Sequence, residues 1–296
     1  MIQEELAKQI LKNLSSLKLS PPAVNNNYRF KDTLKQCLLD SVGDSTITLE
    51  ATNKLKIEIK KEEFNLALFS DFYFGHIRIK EQIKNVGNLL NSSSQVAWIV
   101  TTTYYACYFM AVEIAKLHGE FIINFSADEF ATILSNSSNP NGLSVTSDSN
   151  NSFKVLVKSS NYENFLDLQL TKESSKPHKI VWINLCKIIR QLKVHDCLLQ
   201  HKNLLTDICD NGKDKWKLPS TVRNEWNYTY ANYYSDNGTD LGNKFLSIIK
   251  NPNSAMKWTN LRIIQPDEQN ITASIAYLYH CLCQTIEKLD NRFNPS

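Results

Sequence analysis

Apolar positions recur at helical spacing from the start of the chain, where Leu6, Ile10, Leu14 and Leu17 form one stripe and Pro21-Pro22 marks its end. The period then changes. Over TITLEATNKLKIEIK (46–60) apolar and polar residues alternate, which predicts a β-hairpin turning near Thr52-Asn53. Helical spacing returns over 62–90. The segment 95–118 is the most apolar of the chain, with Glu113 its only charge between Tyr104 and Ala115, and Gly119 follows as a C-cap. A helix apolar around most of its circumference is expected at the centre of a bundle, with Tyr104, Tyr108 and Phe109 in the core.

Residues 135–152 are turn-rich and read as a mobile loop, after which FKVLVKSS and NFLDLQLTK alternate as the strands of a second hairpin. A long helix is expected over 177–209, with Val181, Leu185, Ile188, Leu192, His195 and Leu199 as its buried stripe. Pro219-Ser220-Thr221 supplies another helix start, continued by RNEWNYTYANYY. The last helix, 271–289, carries Ile271, Ile275, Leu278, Leu282, Ile286 and Leu289, with Asn270 as N-cap. The fold class predicted is mainly α, an antiparallel helical bundle with small β-hairpin insertions. An appendage would span 1–61 and the bundle 62–296, interrupted by the loop and hairpin at about 135–173.

Composition changes this picture little. Hydrophobic residues at 42% and charged residues at 21% suit a folded domain, and a net charge of +3 supplies no strong field toward nucleic acid, leaving local basic patches to do so. His76, Arg78 and Lys80 form one such patch, and Lys213, Lys215 and Lys217 beside Trp216 another. No apolar run approaches the roughly 20 residues that cross a bilayer, and Glu4 and Glu5 stand where a signal peptide would be basic, so a cytoplasmic protein without membrane contact is expected. The seven cysteines lack CxxC spacing and read as free thiols. Phosphate-loop, HExxH and GxSxG patterns are absent from the sequence, and no metal or cofactor is expected.

Two stretches carry a resemblance. TTTYYACYFMAVEIAKLHG is similar to the second helix of the HEPN family, with its YYA core, and PSTVRNEWNY at a helix start resembles that family's RNxxxH signature. Arg223 and Asn224 match the signature, while Tyr228 stands where the family has histidine. The resemblance covers roughly 64–125 and 177–290. It implies a metal-independent endoribonuclease or RNA-binding effector of a prokaryotic toxin–antitoxin or antiphage system, assembled as a homodimer through the motif helix. It also implies that Arg223 holds RNA phosphate, that Asn224 positions it, and that Tyr228 replaces histidine as a hydrogen-bond donor.

The residue types suit those roles: arginine is a permanent forked donor, and tyrosine is a poor base at neutral pH but a good donor and stacking platform. Spacing argues the other way, because residues five apart in an α-helix lie about 140° apart, so that Arg223 shares a face with Asn227 and Tyr230 instead of with Tyr228. Arg223 could equally pair with Glu225 on a solvated helix end, with Tyr228 in the core. Arg190 and His195 form a literal R-x4-H pair, but in the middle of the predicted long helix, where a packed, hydrogen-bonded His195 is the simpler expectation.

Trp226, Asn227, Tyr230 and Tyr234 are candidates for RNA contact or an interface. A different class of protein, a non-enzymatic helical adaptor, would use the aromatic face Trp226, Tyr230, Tyr233 and Tyr234 to bind a protein partner or antitoxin. A sensor of small nucleotides with the loop at 135–152 as a lid is a third reading that no residue singles out.

Overall fold

Helical and alternating segments of the sequence become helices and strands largely where the periodicity puts them, in a mainly helical chain with a small antiparallel sheet. The structure, a computed structural model, describes residues 1–22, 28–40, 46–51, 54–92, 95–135, 151–210, 215–259 and 264–294. The expected turn at Thr52-Asn53, nearly all of the expected mobile loop, and Lys213 lie outside these described residues. The chain divides into two units, one made of Met1–Gln9, His76–Ile114 and Val181–Ser296, the other of Ile10–Gly75 and Ala115–Ile180.

The second unit holds the sheet. β1 (Thr46–Ala51) and β2 (Lys54–Lys60) form the first expected hairpin, and β4 (Asn151–Ser159) and β5 (Phe165–Lys172) the second. The two hairpins are joined: β2 pairs with β5, and β3 (Glu120–Phe125), which the sequence reading did not assign, completes the order β1-β2-β5-β4-β3. One face is a row of cross-strand apolar neighbours, Ile57 opposite Leu168 and Leu168 opposite Val157, all buried. The other face carries charge pairs such as Lys56–Asp167 at 2.9 Å. α5 (Ala127–Ser135) lays Phe130 against Phe153, ring centroids 5.0 Å apart. Gly119, at φ +82, turns the chain into β3 where another residue would be strained.

α1 (Ile2–Ser16) buries its predicted stripe, but it ends before the prolines. Lys18, at φ 56, adopts the left-handed conformation, and the Leu19 N–H donates to the Leu14 carbonyl at 2.9 Å, closing the helix.

The first unit is helical. α3 (Lys61–Asn91) and α4 (Val96–His118) run antiparallel across their short connection, because Arg78 meets Phe109 and Glu113. α11 (Glu268–Phe293) is the enclosed helix: every residue from Asn270 to Tyr279 is buried. α4 buries Tyr104, Cys107 and Ala111 but turns Trp98, Tyr105 and Phe109 toward its outer side, so the expected central position holds for only part of its circumference. α11 begins earlier than the sequence suggested. Asp267 is the N-cap, accepting from the Asn270 N–H at 2.7 Å, while the Asn270 side chain accepts from the Trp258 indole N–H at 3.1 Å.

The long helix expected over 177–209 is two, α6 (Pro177–Gln191) and α7 (Asp196–Cys209), and the four residues between them leave the helical path. His195 is consequently an exposed residue at the N-terminus of α7 and not a member of a buried stripe. Leu199 is likewise 47% exposed.

Three histidines of this unit are held neutral. Burial is the main cause lowering His201, which is 3.0 Å from the Tyr277 hydroxyl, and His280, which lies against the Ile248 carbonyl; for His76 burial outweighs the opposing pull of Asp290. The unfolded chain binds protons at these sites from about pH 6.5 downward while the folded chain resists. Stability from this source is therefore complete above pH 6.5 and declines as the solution is acidified below it. The expected result is a melting temperature several degrees lower at pH 5.5 than at pH 7.5, with a smaller drop in His201→Gln. Equal drops in variant and wild type would show that His201 contributes nothing.

Candidate functional site

The RNxxxY stretch lies on α8 (Pro219–Asn224), a helix of six residues with proline at its start, where the missing N–H is no loss. The backbone then widens. Glu225–Thr229 is a π turn, closed by the Tyr230 N–H donating to the Glu225 carbonyl five residues back at 3.1 Å. A turn of this width swings residue 228 back toward residue 223. The guanidinium carbon of Arg223 thus lies 5.5 Å from the centre of the Tyr228 ring, although α-helical geometry would separate the two.

The same guanidinium lies 5.4 Å from the Tyr104 ring and 5.5 Å from the Tyr105 ring, both on α4. Three aromatic rings therefore surround one cation. Tyr104 is fully buried and Tyr228 is 70% exposed, which makes the cage closed on the core side and open toward solvent at Tyr228. Burial pushes the Tyr104 phenol well above its usual range, although the neighbouring Trp182 indole and Arg223 cation pull the other way, so its hydroxyl keeps its proton at neutral pH.

Arg223 is 9% exposed, and its Nε–H has no hydrogen-bond partner among the described residues. The alternative partner considered from sequence is taken: Glu225 accepts from Lys217 through both oxygens, at 2.7 and 2.8 Å. Among the described residues no ion pair includes Arg223. Withdrawing a charge from water costs several kcal/mol, and each cation–π contact returns about 0.5–2 kcal/mol. The rings roughly offset the desolvation but leave the Nε–H unfilled. A tetrahedral anion entering beside Tyr228 would satisfy it.

The other predicted residues divide into two groups. Asn224 is exposed beside Arg223. Trp226 is buried and donates to the Thr272 hydroxyl at 3.1 Å, and Tyr233 is buried against it at 4.6 Å between ring centres. These two are therefore core and not a free docking face. Tyr230 is 42% exposed, and its ring lies 5.0 Å from that of Tyr233. Asn227 accepts from the Tyr234 hydroxyl at 3.4 Å, and Tyr234 meets Trp98 edge-on at 5.9 Å. Arg190 binds Asp210 at 2.5 Å, away from His195, so the R-x4-H pair forms no site. Trp216 is buried and Lys217 is committed to Glu225, which removes two members of the expected lysine patch.

What sequence reading missed is the contribution of Tyr104 and Tyr105. Their YYA signal was visible, but not that the two rings would meet Arg223. Histidine chemistry is directed elsewhere in this unit: His76 contacts Asp290, His201 contacts Tyr277 and His280 contacts Ile248. None of the seven cysteines is in a disulfide; burial pushes the Cys281 and Cys283 thiols up to about 12, so neither is a ready nucleophile. Among the described residues no group of three or more His, Cys, Asp and Glu side chains is placed to hold a metal ion, and no helix is long and apolar enough to cross a membrane. Comparison with known protein families, characterised proteins and solved structures gives no match.

Proposed function

We propose that this chain is a HEPN-like RNA-binding effector whose RNxxxY stretch grips RNA phosphate through Arg223. The observation that carries the reading is the buried, incompletely satisfied guanidinium inside an aromatic cage that opens at Tyr228. A phosphate entering there would accept from the free edge of the guanidinium and from tyrosine hydroxyls, while the exposed Tyr228 ring would stack the adjoining base. Asn224, exposed at the end of α8, would orient the phosphate.

The resemblance supplies the biological setting: a cytoplasmic homodimer of a prokaryotic toxin–antitoxin or antiphage system, with an antitoxin or other protein as regulator. Binding is the part of that reading with the most support in the geometry. Cleavage needs a base for the ribose 2′-hydroxyl, and a phenol that keeps its proton is a donor instead.

The test is incubation of purified protein with mixed RNA in EDTA, with binding and fragment ends both followed. Saturable binding that is lost in Arg223→Met supports the proposal, and fragments with cyclic phosphate ends would extend it to metal-independent cleavage. Wild-type protein that is folded and dimeric yet binds no RNA would overturn it.

The adaptor reading has one observation in its favour, the exposed rings of Trp98 and Tyr230. It predicts that Tyr230→Ala loses a protein partner while RNA binding stays undetectable in every variant.

A further inference from the structure

The Arg223 cage does not end at Tyr105. Along the outer side of α4, the Tyr105 and Phe109 rings follow one another at 6.3 Å between centroids, and the guanidinium carbon of Arg78, on α3, lies 4.1 Å from the centre of the Phe109 ring. Arginine, two rings and arginine thus form a continuous ladder: Arg223, Tyr105, Phe109, Arg78. Both rings are only partly buried, and Trp98, 51% exposed, continues the aromatic row toward the N-terminal end of α4. Tyr105 and Phe109 are one helical turn apart, about 6 Å along the axis, and each is met by a guanidinium from a different helix.

We propose that this outer face of α4 is a track for a nucleic-acid strand and that Arg78 makes a second phosphate contact on it. The inference rests on the RNA-binding reading of Arg223 and extends it to a residue from a different helix. Arg78 already has one task, since its Nη2 donates to the fully buried Glu113 carboxylate at 3.3 Å. That single contact uses one corner of the fork, and the side chain remains 46% exposed with its plane near the ring. Glu113 in this arrangement sets the guanidinium over Phe109 and tempers its charge. That contact engages Nη2 alone, which leaves the other N–H groups of the fork to donate to a phosphate of a strand lying along Tyr105 and Phe109.

Because removing Arg78 alone would take a cation from beside a buried carboxylate, the experiment uses Glu113→Gln and the double variant Arg78→Met/Glu113→Gln. Binding of a fluorescent single-stranded oligouridylate is measured by anisotropy at several salt concentrations, with thermal melting as the check on folding. Glu113→Gln leaves the cation unneutralised and is expected to bind at least as tightly as wild type. The double variant is expected to bind roughly tenfold more weakly than Glu113→Gln, the size of one charge-assisted contact, with a salt slope shallower by about 0.7.

Arg78→Lys is a further check that keeps the Glu113 pair; it should retain the slope and lose part of the affinity. If Glu113→Gln and the double variant bind alike, the Arg78 contact is wrong while the Arg223 reading stands. If wild-type protein shows no saturable binding at any salt, both are wrong.

Discussion

Arg223→Met is expected to lower affinity for single-stranded RNA by at least tenfold and to leave the melting temperature unchanged or raise it. The two halves of this result belong together. Arg223 is a buried cation whose Nε–H finds no partner among the described residues, and the three rings that hold it return energy of the same order as its desolvation cost. Methionine has a similar length, needs no partner, and gains sulfur–aromatic contacts of about 0.3–1.5 kcal/mol against the same rings. The folded state therefore loses little. Binding, by contrast, loses its one charged donor at the cage, worth a tenfold change or more. Anisotropy titration and a melting scan of the same preparation read both quantities. A variant that melts several degrees lower yet still binds RNA would make Arg223 a packing residue and remove the basis of the proposed site.

Gly238→Ala is expected to be the most damaging small substitution. Gly238 lies in the first turn of α9 (Asp236–Ile249), and a Cβ there would stand 1.8 Å from the Tyr233 carbonyl oxygen and 2.5 Å from its carbon. The obstacle is backbone, which no rotamer change relieves. The short helical turn Ala231–Tyr234 must move, carrying with it Tyr233, which is packed on both Trp226 and Tyr230. A loss of about 3 kcal/mol, the upper end of overpacking effects, corresponds to a fall of roughly 6–12 °C in melting temperature. RNA affinity should fall as well, since only Thr229 and Tyr230 separate the displaced turn from Tyr228. Gly87→Ala serves as control, because nothing lies within 4 Å of its Cβ; it should be neutral or slightly stabilising through helix propensity. Equal melting temperatures for the two variants would mean that the Tyr233–Gly238 approach is not a constraint.

The candidate site was legible in part. Arg223, Asn224 and Tyr228 stand out as a short pattern at a helix start, yet the α-helical rule for residues five apart placed Arg223 and Tyr228 on different faces. The π turn over Glu225–Thr229 reverses that inference, and side-chain periodicity carries no mark of it, since the change lies in which carbonyl each N–H selects. Tyr105 and Arg78 were each readable as an aromatic helix residue and as part of a basic patch. Only the packing of α3 and α8 against α4 brought them into one row of cation–ring contacts. The helix break at 192–195 had no proline or glycine to announce it, which is why His195 was placed in a core it does not enter.

By itself, the sequence determined what local pattern can determine. Alternation set both hairpins, a 3.6-residue stripe set α1 and the body of α11, a long apolar run set α4, and Gly119 marked the exit from α4, because each of these follows from which side chains must leave water together. The tertiary structure decided what depends on partners distant in the chain. It joined the two hairpins into one sheet through β2 and β5, enclosed α11 more fully than α4, and gave Glu225 to Lys217 so that Arg223 was left among three rings. A cation's environment is a sum over neighbours from several elements, and no spacing along one segment contains that sum.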